Sequence, residues 1–157
     1  MATENTGHFD VHIDDIIDKV MAFNPSNYAS SRNYTNGDVS RLSPYISRGV
    51  ISTNYVYETL IKRGFKPGGM FKFIQELAWR DYWQKVWIHK KNDINQDLKH
   101  QQEPIVGYGI PAALNERTTG ILAIDAAITK LVSSGYIHNH LRMYMASLTC
   151  NIANHHW

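Results

Sequence analysis

The chain has 157 residues, 43% of them hydrophobic and 11% aromatic, which is enough to bury one sizeable core without disulfides. The net charge of +2 is too small to indicate the kind of partner. Cys150 is the only cysteine, which excludes an intramolecular disulfide and favours a reducing compartment. No segment approaches the roughly 20 apolar residues of a membrane span, and the start is not a signal peptide, so we expect a cytoplasmic protein with no membrane partner.

Apolar residues recur at helical spacing in six segments, and no stretch of useful length alternates with a period of two. The first segment, 12–23, ends before Pro25, and a loop rich in Asn and Ser follows it. Ser43 is the expected N-cap of a short second helix, with Pro44 at its first position and Gly49 after its end. The other helical segments begin at about residues 52, 70, 119 and 138.

The segment 70–91 is the longest, and it is aromatic on more than one side, so we expect it to be deeply buried. Residues 92–116 are polar and interrupted by Pro and Gly, which predicts a long surface excursion. Without a repeat or a strand pattern, the sequence predicts an all-α architecture.

The longest helix aligns four side chains on one stripe, at spacings of four, three and four residues: Glu76, Arg80, Trp83 and Trp87. An ion pair between Glu76 and Arg80 on the rim of the helix explains the charges, and a binding site is the alternative. The last helix begins with His138 and Asn139, which suit either capping of free N–H groups or a site. Its histidines point to different faces, so no metal site is expected.

The segment VSRLSPYIS, residues 39–47, combines hydroxyls and a cation at a helix start. Ser40, Arg41 and Ser43 supply groups that bind phosphate. A capped helix with a solvated arginine explains the same pattern, so both interpretations remain open.

Five motifs in order resemble the DNA photolyase and cryptochrome family: YASSR (28–32), SRLSPYIS (40–47), FIQELAWRDYW (73–83), TGILAIDAA (119–127) and GYIHNHLRMYMAS (135–147). The resemblance is to the first half of the family's all-α, helical FAD-binding domain. It implies an N-terminal segment with one helix at 1–27 and a partial FAD-binding domain at 28–157. The family's α/β antenna domain, and with it a second chromophore, is not expected.

The resemblance implies FAD as the cofactor, and it implies these residues as its binding set: Tyr28, Ser40, Arg41, Leu42, Ser43, Phe73, Arg80, Tyr136, Asn139 and Arg142. Phe73 and Tyr136 stand where the family commonly has tryptophans. The segments that complete the family's flavin site would follow Trp157, so we expect FAD to be retained weakly.

For the substrate, the resemblance implies Glu76 as hydrogen-bond donor to a flipped pyrimidine dimer, Trp79 as its stacking wall and Met143 against the damaged bases. The catalytic set is Glu76, Asn139 and Trp157, of which Trp157 aligns with the middle tryptophan of the family's electron-transfer chain. Asn139 favours cyclobutane dimers, because the photolyases for (6-4) lesions carry histidine there.

The function implied is light-driven repair of cyclobutane pyrimidine dimers by reduced FAD, with damaged DNA as the preferred partner. It is a carbon–carbon lyase activity if the flavin site is complete. Two alternatives remain open: a flavin photosensor of cryptochrome type, and a reduced helical relic that binds DNA or a protein partner without flavin.

Overall fold

The computed structural model of the chain describes residues 9–34, 36–97 and 99–156. The chain divides into two compact units: an N-terminal unit, Asp10–Ile94, and a C-terminal unit, Met1–Phe9 with Asn95–Trp157. Apart from one pair of two-residue strands, the regular structure of the described residues is helical, as the sequence predicts. No helix among them combines the length and the apolar content that a membrane crossing requires.

In the described part of the N-terminal unit the α-helices are α1 (Ile13–Ala22), α2 (Tyr28–Ser31), α3 (Ser43–Ser47), α4 (Thr53–Lys62) and α5 (Phe71–Lys90). A 3₁₀ turn, Pro67–Met70, leads into α5, and a second, Lys91–Asn95, follows it. The start of α4 shows why these boundaries form. Ser52 is its N-cap, and the Ser52 Oγ accepts a hydrogen bond from the Tyr55 N–H at 2.9 Å, which satisfies a donor that the helix leaves free.

The core of the N-terminal unit forms where α4 packs against α1 and α5. Val20 of α1 and Val56 and Leu60 of α4 are fully buried, and Leu42 before α3 joins them. Full burial of each such side chain contributes about 1.5–3 kcal/mol to folding. This core therefore holds the segment that precedes α3 and the first half of α5 in place.

The start of α3 differs by one residue from the prediction. The helix begins at Ser43 itself, and the N-cap is Leu42, whose apolar side chain is buried and makes no capping bond. Pro44 lies in the first turn, where its missing N–H costs nothing. Burial of Leu42 determines the boundary, because it fixes the backbone just before the helix.

The prediction that α5 is deeply buried is wrong. Phe73 and Leu77 are its buried residues, whereas Trp79, Trp83 and Trp87 are 47%, 55% and 60% exposed. The reason is that α5 packs against α2 and α4, which cover the side that carries Phe73 and Leu77. A helix that is apolar on several sides is buried only if a neighbour covers each of them.

In the C-terminal unit the described helices are α6 (Ala112–Asn115), α7 (Leu122–Ser134) and α8 (Asn139–Ser147), and one π-helical turn, Leu148–Ile152, continues α8. Leu114, Ile124 and Ile128 form a buried cluster, against which one side of α8 packs. Gly135 ends α7 as predicted. It adopts a left-handed conformation with φ of 69°, and its N–H bonds the Leu131 carbonyl.

The polar segment before α6 contains a strand that the sequence did not predict. Strand β1 (Gly107–Tyr108) pairs in parallel with β2 (His155–His156). Gly107 permits the close approach, because a Cβ there would lie 2.8 Å from the His155 ring. Gln102 Nε2 donates to the His155 carbonyl at 2.7 Å and helps hold β2. Two residues are too few to produce a period-two pattern, so the strands escape sequence analysis.

Candidate functional site

The sequence-predicted site residues fall in both units. The N-terminal unit contains Tyr28, Ser40, Arg41, Leu42, Ser43, Phe73, Glu76, Trp79 and Arg80, and the C-terminal unit contains Tyr136, Asn139, Arg142 and Met143. Trp157 lies outside the residues that the structure describes.

An aromatic cluster joins α2 to α5. The ring of Tyr28 meets the ring of Phe73 edge-on, with centroids 5.1 Å apart, and Phe23 completes the cluster 4.8 Å from Phe73. Phe73 is 4% exposed, so its ring acts as a buried support for Tyr28. Such ring pairs contribute about 0.5–1.5 kcal/mol beyond the area they bury. The cluster therefore fixes the position of Tyr28.

Arg32 connects Tyr28 with Glu76. Its Cζ lies 5.9 Å from the centroid of the Tyr28 ring, and its Nη1 donates to Glu76 Oε1 at 2.8 Å. Lys72 Nζ lies 3.7 Å from the same carboxylate oxygen. Both contacts are made to Oε1, so they leave Oε2 to another partner. Lys72, one turn before Glu76 on α5, is thus the i,i+4 ion-pair partner of Glu76.

Arg32 is the site residue that sequence reasoning missed. It ends the motif YASSR, so the motif was visible, but its partner Glu76 follows 44 residues later. No local spacing predicts a contact between residues so far apart in the sequence. Only the packing of α2 on α5 brings the two charges together.

The segment before α3 presents the hydroxyls and the cation that the sequence predicted. Ser40 Oγ accepts from the Leu42 N–H at 3.3 Å, and this bond leaves the hydroxyl proton of Ser40 to donate elsewhere. Arg41 has a φ of 54°, a left-handed conformation that costs a non-glycine residue about 1–3 kcal/mol. In the part of the chain that the structure describes, no ion pair engages its guanidinium. Buried Leu42 anchors this strained turn.

On α5, Trp79 and Arg80 have different surroundings. The ring of Trp79 stacks on Trp83 with centroids 6.3 Å apart, and it meets Tyr82 edge-on at 5.4 Å. The Arg80 Nη1 donates to Ser47 Oγ of α3 at 3.2 Å. Trp79 therefore presents a supported and half-exposed aromatic surface, and the bond to Ser47 orients Arg80.

In the C-terminal unit, the capping interpretation of His138 is confirmed. His138 is the N-cap of α8, and its Nδ1 accepts from the His140 N–H at 3.3 Å. Asn139 and Arg142, one turn apart, are exposed. The Asn139 Nδ2 lies 3.8 Å from the Met143 sulfur. The cap thus fixes the first turn, from which Asn139 and Arg142 project.

Two contacts support the loops around α7 and α8. Tyr136 packs against Phe9 with ring centroids 5.6 Å apart. The Thr119 hydroxyl donates to Asp125 Oδ1 at 2.6 Å and the Thr119 N–H donates to it at 3.0 Å. The hydroxyl bond is the main cause that lowers the pKa of Asp125 below its ordinary value of 3.8. The motif TGILAIDAA therefore stabilises the start of α7 through the bonds from Thr119 to Asp125.

Comparison with known proteins gives these residues a family context. The chain is 27% identical over 132 residues to the deoxyribodipyrimidine photo-lyase of Alkalihalophilus pseudofirmus, a match that covers 78% of this chain and 26% of the relative. For the proteins of that name from Halobacterium salinarum and Thermus thermophilus the identity is 31%, with 76% of this chain covered in each case and 27% and 29% of the relative. The chain thus spans between a quarter and a third of these relatives' length.

The family model for the FAD binding domain of DNA photolyase matches residues 73–157, which is more than half of the chain. That range contains most of α5, with its motif FIQELAWRDYW, and the turn that begins α8. The chain therefore belongs to the DNA photolyase family, as part of its FAD-binding domain, and FAD is the cofactor of that domain.

Proposed function

We propose that this chain belongs to an enzyme that repairs cyclobutane pyrimidine dimers in DNA with FAD and light. The observation that carries the proposal is the arrangement on α5. Trp79 is half exposed and supported by Trp83, and Glu76, one turn earlier, is held by Arg32 with Oε2 left to a ligand. An aromatic side chain for stacking beside an oriented carboxyl group for hydrogen bonding is the arrangement that recognises a flipped base.

The donor set of the N-terminal unit fits the phosphates of FAD. Ser40 and Ser43 supply hydroxyls, and Arg41 supplies a guanidinium that no described carboxylate neutralises. Charge-assisted hydrogen bonds to phosphate are about twice as strong as neutral ones. Tyr28, fixed by Phe73 and Arg32, is proposed to contact the same cofactor, and Leu42 to support the turn.

The resemblance implies Arg80, Tyr136, Asn139 and Arg142 for the flavin ring, and each is proposed here as a contact of that ring. Arg80 is held by Ser47, so its guanidinium is oriented before any ligand binds. Bound and reduced FAD supplies the light-driven electron that splits the dimer. The residues of the chain hold the flavin and the lesion, orient them and exclude water.

The substrate set comprises Glu76, Trp79 and Met143. Because the Glu76 carboxylate forms ion pairs with Arg32 and Lys72, we propose that its Oε2 accepts a hydrogen bond from an N–H of the base edge, whereas the resemblance implies a donor. Backbone contacts to DNA are proposed for exposed cations such as Arg48, Lys85 and Lys90, which would make binding weaken as salt rises. Trp157 is proposed as part of the electron route. A cytoplasmic location belongs to the same proposal, as does the division into a segment 1–27 and a flavin-binding part 28–157.

A two-step experiment tests this function. The purified chain is first titrated with FAD, and binding is followed by the change in flavin fluorescence. The loaded and reduced protein is then illuminated with an oligonucleotide that contains one thymine dimer, and loss of the dimer is measured. Saturable binding with light-dependent loss of dimers is the expected result. Binding without repair would favour a photosensor, and a failure to bind FAD would overturn the proposal.

A further inference from the structure

The guanidinium of Arg63 lies at the end of α1, although Arg63 itself follows α4 in the sequence. Its Nη1 donates to the Phe23 carbonyl at 2.6 Å and to the Val20 carbonyl at 3.3 Å. Carbonyl groups in the last turn of a helix have no partner within the helix, and the helix dipole favours a cation there. One nitrogen of Arg63 thus satisfies two acceptors that precede it by 40 and 43 residues.

Arg63 is itself held in place by α4. It is the C-cap of that helix, and its N–H donates to the Thr59 carbonyl at 3.1 Å. Thr59 is 8% exposed and Leu60 is fully buried, so the last turn of α4 is anchored in the core. The Arg63 Cζ lies 5.0 Å from the centroid of the Phe65 ring. Both the backbone and the guanidinium of Arg63 are therefore restrained.

Phe23 connects this cap to the predicted flavin site. Its backbone is extended, with φ of −64° and ψ of 131°, so the chain leaves α1 at this residue. The centroid of its ring lies 4.8 Å from that of Phe73 and 6.5 Å from that of Tyr28. The segment from Phe23 to Tyr28 contains the fully buried Pro25, whose carbonyl accepts from the Tyr28 N–H at 3.2 Å. A fixed Phe23 therefore fixes both a ring that supports Tyr28 and the start of the segment that carries it.

We propose that Arg63 is a positioning residue for the flavin site. Through its bonds to the end of α1 it holds the Phe23 ring and thereby the orientation of Tyr28. Arg63 acts through these residues and makes no contact with the cofactor. The inference rests on the proposed function, in which Tyr28 contacts FAD. A displacement of about 1 Å in a site can cost about a hundredfold, so the position of such a ring affects the function of the site.

A role in stability alone leads to a different expectation. If Arg63 only stabilised the fold, its loss would change FAD binding by the same factor in any variant, because independent effects add. If Arg63 acts through Tyr28, its loss should have no effect once the Tyr28 side chain is removed. Coupling between the two residues therefore separates positioning from stability.

FAD titrations of Arg63→Met, Tyr28→Ala and the double variant measure this coupling. Arg63→Met should raise the dissociation constant about tenfold in the native chain and less than about twofold in Tyr28→Ala. Arg63→Lys should recover most of the affinity, because one nitrogen makes both bonds and an ammonium group has three donors. Lys62→Met removes the neighbouring exposed cation and should leave the affinity unchanged.

Fluorine NMR reads the orientation of Tyr28 without FAD, in a chain labelled with fluorotyrosine. Tyr28→Phe identifies the resonance of Tyr28. Arg63→Met should move that resonance, and Arg63→Lys should restore it. Circular dichroism establishes that each variant is folded, and Arg63→Gln, a milder change, should move the resonance in the same direction if Arg63→Met unfolds.

Two results would overturn the inference: a Tyr28 resonance that stays in place when Arg63 is replaced, or equal losses of FAD affinity with and without the Tyr28 side chain. A native chain that does not bind FAD would instead overturn the proposed function. The two failures are distinguishable, because the resonance reports whether Arg63 positions Tyr28 in the absence of FAD.

Discussion

The Arg32 guanidinium holds Glu76 at 2.8 Å while it lies over the ring of Tyr28, so one side chain ties α2 to the exposed helix α5. The side chains of Arg32 and Glu76 are 25% and 35% exposed, and solvent therefore screens much of the attraction. Pairs of this kind contribute at most about 1 kcal/mol to stability. The importance of the contact lies in the orientation that it gives Glu76.

Arg32→Met should separate orientation from stability. We expect the free energy of unfolding to fall by less than about 1 kcal/mol, because the methionine keeps the packing of the stem. The ratio of the affinities for a dimer-containing and an undamaged oligonucleotide should fall more than tenfold, because Glu76 loses its fixed position. Denaturant unfolding and fluorescence competition measure the two effects. Recovery of the preference in Arg32→Lys would indicate that charge alone suffices, contrary to this prediction.

Removal of the Arg142 guanidinium should weaken FAD binding with little effect on folding. Arg142 is exposed on α8, so Arg142→Ala should change the melting temperature by no more than a neutral surface substitution does. A charge-assisted bond to the flavin is worth about 1.5–3 kcal/mol, which is roughly 10- to 150-fold in the dissociation constant. Lys130→Ala removes an exposed cation from α7 of the same unit and serves as the control. Equal losses in the two variants would count against the assigned role.

Truncation of Trp79 should abolish the selectivity for damage. Base stacking on an aromatic side chain is worth about 1–3 kcal/mol, whereas salt-dependent binding to the DNA backbone does not involve this ring. Trp79→Ala should therefore bind damaged and undamaged strands alike. Phe71→Ala removes another exposed ring of α5 and should keep the preference. The competition is measured at nanomolar protein. A preference that survives in Trp79→Ala would contradict the prediction.

The bond from Thr119 to Asp125 predicts how stability depends on pH. The folded protein lowers the pKa of Asp125 below 3.8, so the carboxylate contributes stability at pH values above 3.8. This contribution disappears as the pH falls through the lowered folded pKa. The melting temperature of Asp125→Asn should lie below that of the native chain at pH 7, and the gap should close below about pH 3.8. Thr119→Val removes the main cause of the pKa shift, so Asp125→Asn should lower the melting temperature less in a Thr119→Val background than in the native chain. A difference in melting temperature between the native chain and Asp125→Asn that stays the same at every pH would contradict the prediction.

Gly37 should tolerate no side chain. A Cβ at this position would lie 1.8 Å from the Ser31 carbonyl oxygen, so Gly37→Ala must displace the backbone of the loop that leads to Ser40 and Arg41. Overpacking of this kind costs about 1–3 kcal/mol. Gly68→Ala meets nothing within 4 Å and should be neutral or slightly stabilising. Thermal unfolding compares the two alanines, and similar melting temperatures would show that the loop yields easily.

The sequence by itself predicted the helical class, the family and most helix ends, because these features depend on residues close together in the chain. Helical spacing located α1, α4, α5 and α7. Local hydrogen bonds end α7 at Gly135 and begin α8 at His138. The confirmed family rests likewise on motifs that are contiguous, such as FIQELAWRDYW. Local hydrogen bonds and contiguous motifs can therefore be predicted from the sequence alone.

Tertiary structure decided which faces are covered and which distant charges meet. The aromatic content of α5 predicted burial, but α2 and α4 cover only one side of it, so Trp83 and Trp87 remain exposed. Arg32 pairs with Glu76, which lies 44 residues later in the sequence, and β1 pairs with β2 across a similar sequence separation. Burial and long-range pairing depend on which elements become neighbours in space, and that relation is absent from the spacing of residues along one helix.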